Sequence, residues 1–352
     1  MIADGAITQE LLAALRRVLG SRWEFSLDGA YLEIRHSRGV APYSAPRRNP
    51  AWRDLVLGME MAFAERGVRR DNCLPLRWGR DTELAISAVQ ALDPFIKDGR
   101  PVTHRRGFLV QPVVRFTGER DAAGSLLDGY LTSFVNVSRV EPICRVEEYA
   151  TAVDDWLFVL SRLGFHARHL SFFGHLKVWR RREVAGVTLM FRHRDLVLGD
   201  IVLLWNAADP RRMAVDLGSG LERLAWARTL GDWNNLVFGD LAGSAPRSVL
   251  DALRTATLLV GSGIAPAARG AGSAVRRLLG ALEPDATRLG VSSAVRSAHD
   301  FWAVAAPLPV PWHATVVSLE RELARSREPA DGPALLAQPK ALHSRRPRWT
   351  CP

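Results

Sequence analysis

Cysteine is scarce in this chain. Cys73, Cys144 and Cys351 are odd in number, far apart and form no Cys-x-x-Cys. That excludes a disulfide framework and a cysteine-based zinc site, and fits free thiols in a reducing cytoplasm. Long apolar runs are missing too. None reaches about 18 residues, so no membrane-spanning helix is expected. The start, Met-Ile-Ala-Asp-Gly-Ala-Ile-Thr-Gln-Glu, lacks the basic and apolar blocks of a signal peptide. There is no internal repeat. Lysine falls far behind arginine in a chain of formal charge +10. Such an excess fits either a GC-rich genome or a phosphate-rich partner such as nucleotide or tRNA. The positive charge gathers at Arg47-Arg48, Arg69-Arg70, His104-Arg105-Arg106, Arg180–Arg182 and Arg345–Arg348.

What is present is ample apolar material, 47% of 352 residues. That suffices for two domains, or for one large domain with appendages. Residues 4–19 carry leucines at helical spacing, and Tyr31-Leu-Glu-Ile-Arg35 alternates as a strand does. A Pro- and Arg-rich stretch, 41–50, reads as a linker. Residues 52–67, 146–163 and 221–230 read as helices. Residues 108–116, 130–137, 170–179, 187–193 and 200–205 read as strands, the first two joined as a long hairpin. Residues 74–78 and 85–91 are extended or mixed. Beyond about Arg247 the pattern is helical, over 249–261, 273–282, 291–305 and 314–325. Hairpin-joined strands with helices between groups predict an α+β fold, a mainly antiparallel sheet flanked by helices.

The segment Ala214-Val-Asp-Leu-Gly-Ser-Gly-Leu-Glu-Arg-Leu-Ala225 is the most specific. An apolar strand runs into Gly-x-Gly-x-Glu-Arg and then into a helix. Gly218 and Gly220 permit a tight turn and a close ligand approach. Asp216 can meet an ammonium, and Arg223 can hold phosphate or stack on a base.

This segment resembles motif 3 of the alanyl-tRNA synthetases, a class II family. Three further stretches resemble the same family in the same chain order. Asp81–Arg100 followed by Gln111-Pro-Val-Val-Arg115 is similar to the region of motif 1 and the lead into motif 2. Gly199-Asp-Ile-Val-Leu-Leu-Trp-Asn206 is similar to the family's Glu-Ile-Trp-Asn strand. Gly261–Pro266 with Gly272–Leu279 resembles the start of the tRNA-recognition helices. The resemblance implies residues 1–51 as an N-terminal appendage and 52–240 as a class II synthetase-like catalytic domain. It implies 241–327 as a shortened helical region. Residues 328–352, rich in Pro, Arg and Ala, are expected to be a mobile tail.

The resemblance also implies site residues. Arg115 would grip the ATP α-phosphate and the attacking carboxylate, and Phe134 would stack on adenine. Arg223 would cover the other face of the base or reach the terminal phosphates. Asp216 would pair with the substrate ammonium, Asn206 would contact its polar groups, and Trp179 would wall the alanine methyl. Glu119 stands where the family's motif 2 loop carries lysine. That carboxylate would repel a triphosphate unless the adjacent Arg120 replaces the lysine. Ala271 stands where the family has arginine before the glycine of its helical-region motif. No His-x-x-x-His with a matching cysteine occurs, so the family's metal-bearing editing site is not expected. The dispersed His166, His169, His175 and His193 read as ordinary polar residues.

These implications converge on a diverged, stand-alone enzyme. It would activate alanine, with glycine or serine as rivals, using ATP and Mg²⁺. The acceptor would be a specialised small molecule, a carrier protein or a tRNA. The alternatives are an aminoacyltransferase fed by preformed alanyl-tRNA, or a pseudo-enzyme that binds tRNA or a synthetase.

Overall fold

The computed structural model describes residues 4–102, 107–122, 125–282, 287 and 290–327. The cluster at 104–106 and the expected tail lie outside them. The chain begins with helix α1 (Asp4–Leu19) and the hairpin β1 (Trp23–Asp28) and β2 (Tyr31–His36). Helix α2 (Trp52–Glu65), the short β3 (Arg69–Arg70) and a 3-10 turn at Ala88–Leu92 lead into α3 (Asp93–Ile96). Then come β4 (Gly107–Val114), β5 (Ser133–Ile143) and α4 (Val146–Arg162). Strands β6 (Leu170–His175), β7 (Trp179–Arg181), β8 (Val184–His193), β9 (Leu196–Asn206) and β10 (Met213–Gly220) follow. Helices α5 (Leu221–Thr229), α6 (Trp233–Phe238), α7 (Arg247–Gly261), α8 (Gly272–Gly280), α9 (Ser292–Ala305) and α10 (Trp312–Arg327) complete it.

The strands form one sheet in the order β1-β2-β6-β8-β9-β10-β5-β4-β3, with β7 on β8. Every pairing is antiparallel except β3 with β4. The fold is therefore α+β, with a mixed, mostly antiparallel sheet flanked by helices. Among the described residues no helix is long and apolar enough to cross a membrane.

Strand side chains alternate between faces, and the two faces differ. One carries Val110, Val137, Val187, Leu203 and Val215 into the main core beneath α2 and α4. There Trp156 stacks on Phe63 and meets Phe191 edge-on. The other carries Leu109, Val140, Val202, Leu204 and Ala214 under the 3-10 turn and α3. That cover ends partway along β9 and β10, and the uncovered stretch is the floor of the candidate site.

The sheet does not stop at residue 51. Strand β2 pairs with β6, and Ile7, Leu11 and Leu15 of α1 are buried in the same core as α4. The stretch 41–50 has no regular secondary structure but is tied down. Tyr43 donates its hydroxyl to Arg228 O, and Asn49 donates its amide to Ala225 O at 2.8 Å, both on α5. The helices beyond residue 247 dock at the start of β5 through Asp251, Thr255 and a buried cation, Arg254. Arg254 pairs with Glu222, donates to Ser133 O, and lies against the rings of Phe301 and Trp302.

Candidate functional site

The Gly-x-Gly pair is not a turn. Gly218 and Gly220 both belong to β10, and neither has a positive φ. The register places Gly218 between Ser138 of β5 and Asp200 of β9. Their importance is the missing Cβ. At Gly218 it would stand 3.4 Å from Asn136 Nδ2 and 3.6 Å from Asp200 Oδ1; at Gly220 it would stand 3.9 Å from Phe134 Cδ2. Above them opens a cavity of about 380 Å³. Arg115, Phe134, Asp216, Gly218, Gly220 and Arg223, drawn from separate stretches of sequence, all line it.

Asp216 is two residues before Gly218 on the same face of β10, so period-two alternation aims it at this floor. Protein encloses it, yet the half-buried carboxylate keeps an opening to the cavity. The Ser138 hydroxyl is 2.6 Å from Leu217 O and 3.3 Å from Asp216 Oδ1, so its single proton favours the carbonyl. No cation stands within ion-pair distance of Asp216 among the described residues. Burial and then the neighbouring Asp200 push its carboxyl up to about 7, while Ser138 and Arg115 oppose the rise. Asp200 is likewise raised by burial and is partly restrained by Arg115.

Arg115 follows β4 directly. Its backbone N–H donates to Thr132 O at 2.7 Å, which closes the hairpin stem. Its Nε donates to Ile86 O, and its guanidinium lies 5.2 Å from the Phe134 ring centre. Burial pulls its pKa below the ordinary arginine value, yet a guanidinium remains cationic at any working pH. Arg223 sits in the first turn of α5, with Nη2 donating to Gly129 O at 2.8 Å. It lies 5.2 Å from the ring centre of Tyr130, whose hydroxyl donates to Glu119 at 2.6 Å. Each cavity arginine is thus held over an aromatic ring and by at least one backbone carbonyl, and among the described residues neither is neutralised by a contacting carboxylate. The motif's glutamate, Glu222, has a different task. It is buried, accepts the Val135 N–H at 3.1 Å and pairs with Arg254, which pins the start of α5 to β5.

Three expected residues lie outside the cavity. Asn206 is at the far end of β9. Its amide donates to Ile96 O at 2.8 Å and its carbonyl accepts the N–H groups of Ala208 and Asp209, so it fixes a turn. Trp179 lies on the cavity's face of the sheet but nearer the covered end. Its ring occupies the space above Gly186, and its indole N–H donates to Thr188 at 3.0 Å. Arg120 forms a bridge with Leu126 and lines a neighbouring hollow, so it does not join Arg115 as a replacement for the family's loop lysine. Glu119 is engaged by Tyr130 and is not a cavity wall.

Sequence reasoning missed Asp200, Asn136, Ser138, Ser87 and Tyr130. Asp200 belongs to the quoted Gly199–Asn206 segment, but only the strand register, which sets it opposite Gly218, brings it beside Asp216. Asn136 and Ser138 alternate with the buried Val135 and Val137, the signature of a strand with one polar, functional face. Asn136 accepts the Ala88 N–H at 3.0 Å and donates to Ser219 O at 3.3 Å, so it anchors the 3-10 turn at the rim. The histidines lie elsewhere. His193 is buried among Tyr43, Phe165 and His169, and burial lowers its pKa to about 4, which keeps it neutral.

Glu222 also lines the cavity but is paired with Arg254, so the cavity offers two cations, two further carboxylates and an aromatic platform. It can take an anion and an ammonium at once, with a flat group on Phe134. No family model matches this chain, and no curated protein matches it.

Proposed function

We propose that the chain is a class II synthetase-like enzyme, akin to the catalytic part of alanyl-tRNA synthetases. It activates a small amino acid, alanine first, and transfers the acyl group. The observation that carries this reading is the meeting of Arg115, Asp216, Arg223 and Phe134, far apart in sequence, around one cavity. Asp216 would take the substrate ammonium, which needs an unpaired carboxylate. Arg115 would lie against the substrate carboxylate and the α-phosphate of ATP. A carboxylate oxygen attacks the α-phosphorus, the bond to the bridging oxygen breaks, and pyrophosphate leaves with that electron pair. Negative charge builds on the α-phosphoryl oxygens, and a cation already in place stabilises it without reorganisation. Arg223 and Phe134 would hold the nucleoside and phosphates. Mg²⁺ takes most of its ligands from phosphates and water and needs one or two carboxylates. Asp200 is the cavity carboxylate neither assigned to the ammonium nor, like Glu222, paired with Arg254, and it would hold the ion, which would neutralise phosphate charge.

A second reading has one observation in its favour. Arg120 is absent from the cavity and Glu119 stands near its mouth on Tyr130, so a triphosphate meets few loop cations. An aminoacyltransferase using preformed alanyl-tRNA, with an AMP-like acceptor in the cavity, needs none. ATP–pyrophosphate exchange with each small amino acid separates the two. Alanine-dependent exchange supports adenylation. Its absence, with alanyl transfer from alanyl-tRNA, supports the second reading. Absence of both leaves a tRNA- or synthetase-binding pseudo-enzyme.

A further inference from the structure

Behind the cavity lies a second hollow of about 400 Å³, and the two share a wall. That wall is the mouth of the β4–β5 hairpin, one peptide thick. Thr117, Gly118 and Leu131 face the reaction cavity, whereas Phe116, Arg120 and Thr132 face the hollow. Its other sides are the first turns of α7 and the end of α8.

Three guanidiniums line it, those of Arg120, Arg247 and Arg277. Arg247 is fixed by Asp128 at 2.6 Å and by Leu127 O at 2.8 Å, and its buried Nε has no hydrogen-bond partner. Arg277 is exposed and lies 5.0 Å from the ring centre of Phe116. No carboxylate pairs with Arg277 among the described residues. Phe116 is 41% exposed, high for a phenylalanine beside a cavity. Helix α7 starts after Pro246 without a side-chain cap and without an acidic residue in its first turn, so its N-terminus adds positive potential. Leu278, Ala281 and Leu282 supply an apolar wall. Asp128 partly neutralises Arg247; among the lining residues the one carboxylate, Asp251, is buried and accepts the Thr132 N–H at 3.1 Å, which leaves the Arg277 side for an incoming anion.

Cations around an apolar and aromatic lining fit an anion attached to a less polar body. We propose that this hollow binds an organic phosphate ester, its phosphate on Arg277, Arg247 and the α7 N-terminus and its body on Phe116 and Leu278. That the ester belongs to the acyl acceptor rests on the function proposed above; the binding site does not. A body seated there ends one peptide away from the cavity, where an activated acyl group would wait. A mononucleotide and a phosphopantetheine arm share this chemistry.

The test is calorimetric titration of the full chain with 4′-phosphopantetheine and with 3′-AMP, each against its phosphate-free parent. Wild type binds the phosphate ester, and the tighter of the two names the source. Arg277→Glu, at an exposed position, weakens binding by about tenfold or more, the scale of one lost charge-assisted contact, and leaves ATP–pyrophosphate exchange unchanged. Arg115→Ala leaves ester binding within about twofold, a small change on the affinity scale. The proposal is overturned by no saturable binding, by equal binding of the phosphate-free parents, by wild-type affinity in Arg277→Glu, or by loss in Arg115→Ala. The last would assign the ester to the reaction cavity. Absent exchange with intact ester binding removes the adenylating reading alone.

Discussion

The uncovered and covered ends of one sheet face use the same strands for opposite ends. At one end Asp200, Asp216, Gly218 and Gly220 lie open beneath a cavity. At the other Val202, Leu204 and Ala214 of the same two strands are sealed under the 3-10 turn and α3. Glycine has a different effect at each. Gly218 leaves space for a ligand, whereas Gly186 leaves space that Trp179 fills. Fold and function are thus separated by about two residues along a strand, and a substitution should damage one or the other according to where it falls.

The largest effect should come from the open end. Arg115→Ala should lower the rate of adenylate formation by about 10²–10³, the usual cost of removing one preorganised charge-stabilising group. Its thermal midpoint should stay close to wild type, because the side chain contacts one carbonyl and a ring, lines the cavity and forms no ion pair among the described residues. Stopped-flow or exchange kinetics beside calorimetry would check this. A large fall in stability would mean that Arg115 belongs to the scaffold.

The covered end should respond in the reverse sense. A Cβ at Gly186 would lie 2.6 Å from Trp179 Cζ2 and 2.9 Å from Leu203 O, so the indole must leave its seat. Overpacking of this kind costs about 1–3 kcal/mol. Gly186→Ala should lower the urea midpoint and change tryptophan emission. An unchanged midpoint would contradict the seating of Trp179 over Gly186.

Asp216 tests the boundary through pH. Its folded carboxyl sits near 7 against an ordinary 3.8, so ionisation is harder in the folded state. Stability then falls as pH rises from about 4 to about 7 and levels above that. Asp216→Asn lacks this loss. It should match wild type near pH 4 and be more stable at pH 8, while its KM for the amino acid rises steeply. In wild type that KM should improve as pH rises through about 7, because an ammonium needs the ionised form. A stability difference that is flat with pH would show that Asp216 is paired in solution.

How much of this was legible depends on the element. Helices with a strong apolar stripe, 4–19 and 146–163, were read almost to the residue as α1 and α4. Strands β4, β5, β6, β8 and β9 were placed, the expected strand 170–179 ran β6 into the unread β7, and β5 starts at Ser133 and extends six residues past the expected Val137. Its continuation, Ser138-Arg139-Val140-Glu141, breaks the apolar pattern for two physical reasons. Ser138 is buried against Asp216 and Leu217 O, and Arg139 is buried through ion pairs with Glu141 and Asp155, both at 2.6 Å. β1 went unread because most of its residues are exposed. The site residues that were found sit beside glycines or at strand ends, where local sequence is distinctive. Asp200 and Ser138 were hidden because only the register between strands brings them to Asp216. Asn206 and Trp179 fell on the right strand neighbourhood and the right face, but local sequence does not say where the cover ends.

The smallest expected effect is the most discriminating. A Cβ at Gly218 would meet Asn136 Nδ2 at 3.4 Å and Asp200 Oδ1 at 3.6 Å, ordinary contact distances with no positive φ to strain. Gly218→Ala should therefore fold with a midpoint near that of wild type. The added methyl nevertheless stands on the cavity floor beside Asp216 and shortens the space for a substrate. A discrimination of about 1–3 kcal/mol per methylene sets the upper bound, so a several-fold rise in KM is expected with little change in kcat. Serine should suffer more than alanine, and alanine more than glycine, since the methyl removes room where a side chain would lie. If all three amino acids were affected alike, the methyl would be obstructing the nucleotide, and the amino-acid end of the cavity would have to be sought elsewhere along the floor.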